Sequence, residues 1–283
     1  GSPAPAGSPP AEVAVGGAAA PKRGISEPQA APQRPVVEKL LADIASGNVA
    51  EVRKALEADS SDGGLLDASV TAAAAVQAAD DAAGKPPPGE GGGGLLHLAV
   101  RSGKFEAATC VLEMLQRRRD RLRHIMGLQQ ELQLRREQAA IDGPDAMGRS
   151  PLFLLLAKEN MSEEHRSLAQ ALLRAKADPQ RRDTAGSTPF LECASAGHVQ
   201  LLQQVLHTGM RGALLHESDD TGRSALHRAA AAGQHVAVGL LLKIMADPLL
   251  EDARGMTPLQ VAEVGGHAAA ASLLRGDAGG GSG

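Results

Sequence analysis

Apolar residues along this chain come in short bursts at helical spacing, separated by polar turns that carry glycine. Leu201-Leu202 with Val205-Leu206, and Leu240-Leu241-Leu242, each set an apolar stripe on one face of a two- to three-turn helix. A shorter burst precedes each of them, Pro189-Phe190-Leu191 with Ala194 and Leu226 with Ala229-Ala230. Its alanines let two antiparallel helices approach closely. Gly197, Gly233 and Gly266 fall between paired bursts and predict a left-handed residue closing the first helix. Ser150, Thr188, Ser224 and Thr257 stand where a hydroxyl would cap that helix, and Pro151, Pro189 and Pro258 follow at the first helical position. Asp-x-x-Gly openings at Asp145–Gly148, Asp183–Gly186, Asp219–Gly222 and Asp252–Gly255 suit tight turns, with Asp bonding local backbone.

The unit turn, helix, glycine, helix recurs in a fixed frame. Asp219 and Asp252, Gly222 and Gly255, Leu226 and Leu259, and Gly233 and Gly266 are all 33 residues apart. A period of this length means stacked units, each too small to bury its own apolar face. Leu95–Ala99 with Gly103 matches Leu226-His227 and Gly233, and residues 40–56 carry the helix–glycine–helix half without the turn. The units fall at about 36–59, 92–141, 145–178, 183–215, 219–251 and 252–275. Gly148 to Gly186 is 38 residues and Gly186 to Gly222 is 36, so insertions fall near 160–165 and 208–215.

Thr257-Pro258-Leu259-Gln260-x-Ala262 and Ser224-Ala225-Leu226-His227-x-Ala229, in this register, resemble the ankyrin repeat family. The resemblance covers roughly residues 36–275 and implies an all-α solenoid of about six helix-turn-helix units with long insertions. It also implies a function in protein–protein binding through turn tips and inner helices. Carried over by register, the contact positions are Ala146, Met147 and Arg149; Thr184, Ala185 and Ser187; Asp220, Thr221 and Arg223; and Ala253, Arg254 and Met256. Arg149, Arg223 and Arg254 occupy one register position or adjacent ones, which suggests a mildly basic ridge and an acidic partner. In this family His97 and His227 are expected to bond neighbouring backbone.

The largest insertion spans residues 113–141, with no proline and only one glycine. Leu112, Leu115, Leu122, Ile125 and Leu132 recur at helical spacing, so the second helix of that unit is expected to run well past its neighbours, either folding back on the stack or projecting toward a partner. Its arginine cluster (117, 118, 119, 121 and 123) is read first as an exposed face with local counter-charges, then as a docking surface for an acidic partner, and last as a nuclear-import or RNA contact. Residues 1–35, rich in Ala, Pro and Gly, read as disordered; 60–91 read as a flexible insertion and 276–283 as a flexible Gly-rich tail. No Met opens the chain, which suggests a fragment of a longer protein.

Composition narrows the function. Three Phe, no Tyr and no Trp argue against aromatic cofactor pockets and base-stacking surfaces. A net charge of −4 gives no general attraction to nucleic acid. Cys110 and Cys193 sit at expected core positions, so the default is a reducing, intracellular and cytoplasmic setting, with the nucleus as the alternative. Nothing in the sequence reaches the length of a membrane span, no His/Cys set has zinc spacing, and no nucleophile–base or phosphate-loop motif occurs. The expectation is a non-enzymatic protein-binding scaffold with no cofactor, metal or small-molecule substrate. The alternative is a targeting or autoinhibitory module of a larger enzyme or channel.

Overall fold

The computed structural model describes residues 34–58, 93–122, 128–208 and 211–276. The segment before residue 34, the 60–91 insertion and the tail from 277 lie outside the described residues. Helix begins at Arg34, two residues inside the stretch that composition marks as disordered. Among the described residues there is no strand, only an isolated bridge between Ser218 and Ser224.

Six helix pairs follow one another. They are α1 (Arg34–Ser46) with α2 (Val49–Ala58), and α3 (Leu95–Arg101) with α4 (Phe105–Leu122). After α5 (Leu128–Asp142) come α6 (Pro151–Leu156) with α7 (Glu163–Arg174), and α8 (Pro189–Ser195) with α9 (Val199–Leu206). A short α10 (Arg211–Leu215) precedes α11 (Ala225–Ala231) with α12 (His235–Lys243), and α13 (Pro258–Val264) with α14 (Ala268–Arg275) ends the described chain. First helices stack on first helices (α1 on α3, then α6, α8, α11 and α13), and second helices stack as α2, α4, α7, α9, α12 and α14. Two parallel layers result.

From α3 onward the inner helices are only six or seven residues long, too short to hold in water unaided. Their ends are set by side chains. The hydroxyls of Ser150, Thr188 and Thr257 accept the N–H of Phe153, Leu191 and Gln260 at 3.2, 3.3 and 3.4 Å. Gly197, Gly233 and Gly266 adopt φ of 74°, 69° and 72° and turn the chain into the second helix. Packing supplies the stability: Leu152, Leu155, Leu191, Ala194, Leu226, Ala229 and Ala262 form one buried row with Leu168, Leu172, Leu201, Val205 and Leu241 behind it. The stripe on α12 is narrower than the sequence suggests. Leu241 is fully buried with Ala237 and Val238, while Leu240 and Leu242 are half-exposed. Cys110 and Cys193 are buried, and burial pushes both thiols up, so they stay protonated core residues.

The 113–141 segment is not one continuous helix. α4 is long, 18 residues against 8 to 12 for α7, α9, α12 and α14, but α5 packs back against α3, α4 and α6. The Arg119 guanidinium donates to Gln138 Oε1 at 2.7 Å. Nineteen residues of unbroken helix would separate them by about 28 Å. The segment's single glycine, Gly127, falls between the two helices. Two more bonds fasten this fold-back to the next pair: Arg119 to the Ala175 carbonyl at 3.0 Å and Gln138 to the Lys176 carbonyl at 2.9 Å.

Gly186, with φ of 70°, packs so closely on the next turn that a Cβ would lie 2.8 Å from the Asp220 amide nitrogen. Gly186→Ala should cost about 1–3 kcal/mol from backbone strain and that clash. Gly212→Ala, in α10 with open space around it, should instead be neutral or stabilising by up to about 1 kcal/mol. Urea denaturation midpoints of the two variants measure the contrast.

Candidate partner-binding surface

Four hairpins open on an aspartate whose Oδ1 accepts two backbone N–H groups. Asp145 takes those of Met147 and Arg149, both at 2.9 Å. Asp183 takes Ala185 and Ser187 at 2.9 and 2.8 Å, and Asp219 takes Thr221 and Arg223 at 2.9 and 3.0 Å. Asp252 takes Arg254 and Met256 at 2.8 and 3.1 Å. The hairpins are then tied in a row by their own backbones: Thr184 N–H to Met147 O at 2.9 Å, Asp220 N–H to Ala185 O at 3.4 Å, and Ala253 N–H to Thr221 O at 2.9 Å.

Register and geometry therefore bring most of the sequence-derived positions onto one edge. Ala146, Thr184, Ala185, Asp220, Thr221, Ala253 and Arg254 are exposed there, and Met147 and Met256 are half-buried. Ser187 differs. It is 5% exposed, and its hydroxyl donates to Glu192 Oε1 at 2.8 Å, so its side chain faces the stack. Arg149 and Arg223 also turn inward. Arg149 donates through Nε to Asp145 Oδ2 at 3.0 Å, and Arg223 Nε lies 3.4 Å from Asp252 Oδ2. Their charges are balanced by buried carboxylates, which leaves Arg254 as the exposed arginine of the expected ridge.

Histidines clasp neighbouring units. His97 Nδ1 accepts the Gly94 N–H at 3.3 Å, which places the ring proton on Nε2, and Nε2 donates to the Arg149 carbonyl at 2.8 Å. His227 repeats this, with the Ser224 N–H on Nδ1 at 3.3 Å and Nε2 on the Met256 carbonyl at 3.0 Å. His267 reaches back to the Ala231 carbonyl at 2.9 Å, and His198 reaches back to that of Lys158. Burial lowers the His97 pKa to about 4 and lowers that of His227 as well. No group of three or more His, Cys, Asp or Glu among the described residues is placed to hold a metal ion. No helix there is long and apolar enough to cross a membrane.

Comparison with known proteins agrees with this geometry. The profile for "Ankyrin repeats (3 copies)" matches residues 153–252 and 193–280. The chain carries ankyrin repeats. A stretch of 137 residues, 48% of the chain, is 29% identical to 8% of the E3 ubiquitin-protein ligase KEG of Arabidopsis thaliana. A stretch of 168 residues, 59% of the chain, is 28% identical to 5% of the neurogenic locus notch homolog protein 1 of Xenopus tropicalis. The chain thus spans less than a tenth of either relative. A crystal structure of an ankyrin repeat domain from Acinetobacter baumannii AYE superposes with a TM-score of 0.57 at 20% identity, covering 85% of this chain and 97% of that one. A second ankyrin repeat protein superposes at 0.58 and 16% identity, covering 84% and 97%. At these identities the likeness is one of fold.

Sequence reasoning missed the ion pairs that cross the ankyrin joints. Arg101 donates to Asp145 Oδ2 at 2.8 Å, and Arg228 pairs with Glu192 and, at 3.5 Å, with Asp219. Their signal was a basic residue on an inner helix, Arg101 at the end of α3 and Arg228 one turn into α11, facing the aspartate of the following or its own hairpin.

Two outcomes follow from these contacts. The unfolded chain takes up protons near the ordinary histidine pKa of about 6.5, whereas His97 resists until about pH 4. Full stability is therefore present above pH 6.5 and is lost as pH falls toward 4, on the order of 3 kcal/mol for His97 alone. Thermal melts across that range should flatten in a His97→Gln/His227→Gln variant. Separately, Arg149→Glu should destabilise by about 1–3 kcal/mol, because it sets a second carboxylate against buried Asp145. A urea midpoint equal to that of the parent chain would refute this.

Proposed function

We propose that this ankyrin array is a protein-binding scaffold whose partner lies across the hairpin tips and the adjoining inner helices. The observation that carries this reading is the row of tip residues joined by backbone hydrogen bonds from Met147 to Ala253. Thr221 bonds Asp219 and Asp220 faces Arg182, and the other outward side chains are left to a ligand, while the aspartates beneath them hold the backbone rigid. A surface fixed before binding loses little conformational entropy on contact, which favours recognition by shape and tip chemistry. The partner is a protein with an acidic contact at Arg254, since the charges of Arg149 and Arg223 are matched within the stack. No enzyme chemistry, cofactor or nucleic-acid contact is part of this reading, and its setting is the reducing interior of the cell.

The small fraction of each curated relative that the chain covers favours a second reading, an ankyrin module that targets or restrains a larger enzyme or channel. Sequence on either side of the chain separates the two.

The test is affinity capture with the intact chain beside an Ala146→Glu/Arg254→Glu variant, both positions being exposed. The scaffold reading expects a stoichiometric protein partner retained by the parent chain and weakened about tenfold or more in the variant, the scale of one or two lost contacts. A partner held equally by both would move the binding face away from the tips.

A further inference from the structure

The second helices α7 and α9 lie side by side and enclose an open groove on the layer opposite the inner helices. Leu173 is its half-buried apolar element, and Gln170, Arg174, Gln200, Gln203 and Gln204 stand around it. Two features set this groove apart. The chain carries 33 Asp and Glu and a net charge of −4, yet none of the eight residues lining the groove is a carboxylate. Its one fixed charge is Arg174. Arg149, Arg166, Arg182, Arg223 and Arg228 each have an acidic partner, whereas Arg174 has no carboxylate within ion-pair distance among the described residues.

The glutamines point to the form of the ligand. A side-chain carboxamide offers the same donor and acceptor as a peptide group. A helix has already paired its backbone N–H and C=O groups, so only an extended segment presents them to a carboxamide. The spacing agrees. Gln170 and Arg174 on α7, and Gln200 and Gln204 on α9, are each four residues apart, a rise of about 6 Å. Alternate residues of an extended strand expose their peptide groups to one side every 6.6–6.8 Å or so. The two helices thus form rails of nearly matching period.

We propose that the α7–α9 groove is a second binding site of this protein, taking an extended acidic peptide segment. Its carboxylate pairs with Arg174, and its main chain is held by Gln170, Gln200 and Gln204. The site is distinct from the hairpin tips and does not depend on them.

The probe is an array of acetylated, amidated hexapeptides of Ala, Val and Thr in which Glu or Asp is scanned through every position. Gln and Asn counterparts and a helix-constrained acidic peptide serve as comparisons. Peptides retained by the intact chain are titrated by fluorescence anisotropy against the parent, Arg174→Glu, Gln200→Ala/Gln204→Ala and Arg254→Glu, with urea midpoints recorded for each. The proposal expects linear acidic peptides to bind and their amide counterparts to bind more weakly. Arg174→Glu should weaken binding about tenfold or more, the scale of one charge-assisted contact, and Arg254→Glu should leave it unchanged. Glutamine side-chain NH2 resonances of the parent chain should shift on titration, and the two that the double alanine variant lacks should be among those that shift. Absence of acidic-peptide binding, equal affinity in Arg174→Glu, preference for the helical peptide, or loss in Arg254→Glu would each overturn the proposal. Partner capture that fails at the tips while peptide binding persists would sink the tip reading alone.

Discussion

Everything in this array hangs on a carboxylate that faces inward at the start of each hairpin. One oxygen of Asp145, Asp183, Asp219 or Asp252 takes the N–H groups two and four residues on, which closes a turn that no apolar contact could close at that size. Three of the four are buried, so the charge is held by donors and not by water. The turn fixes where the capping hydroxyl stands, the cap fixes the first residue of a very short helix, and the helix presents its small face to the next. An error in the turn would therefore pass into the packing of two layers. This is why the insertions from residue 113 onward occur between paired helices or after them and leave these four turns unchanged.

Backbone bonds between tips and ring bonds between helices make each unit part of its neighbour's structure. The residues that a partner would meet are thus the outward ends of a lattice whose inward ends hold the solenoid together. Arg149 and Arg223 show the division. They occupy the register of contact positions, yet their guanidiniums lie against Asp145 and Asp252.

Much of this was legible beforehand. Asp, Gly, Ser/Thr and Pro at fixed offsets dictate turn, left-handed residue, cap and first helical position, and the structure realises each of them locally. The histidine bonds were legible only through family likeness, because nothing in a lone Leu-His pair says which carbonyl lies above it. Folding back was legible only as one of two outcomes, and the break into α4 and α5 was not legible: an apolar residue every three or four positions reads identically in one long helix and in two helices that face each other. Arg119 and Gln138 reveal the reversal only by meeting. The burial of Ser187 was hidden for a related reason, since Glu192 that receives its hydroxyl sits on the same unit's helix and draws the side chain inward.

The histidine clasps are not spread evenly. They serve the joints between α3/α4 and α6/α7, between α6/α7 and α8/α9, and between α11/α12 and α13/α14. At the joint between α8/α9 and α11/α12 the corresponding positions are Leu191 and Gln234, and charged pairs bridge the gap, Arg228 to Glu192 and Arg182 to Asp220. A chain pulled from its ends loads these joints in series, so the weakest one sets where it parts. Added salt loosens the charged joint. It also weakens Arg101–Asp145 and Arg223–Asp252 at two of the imidazole joints, but the joint between α8/α9 and α11/α12 has, among the described residues, no imidazole bond beside its ion pairs. Mild acid loosens the imidazole joints. The same molecule would therefore break in the middle of its described array in one solution and toward its flanks in the other.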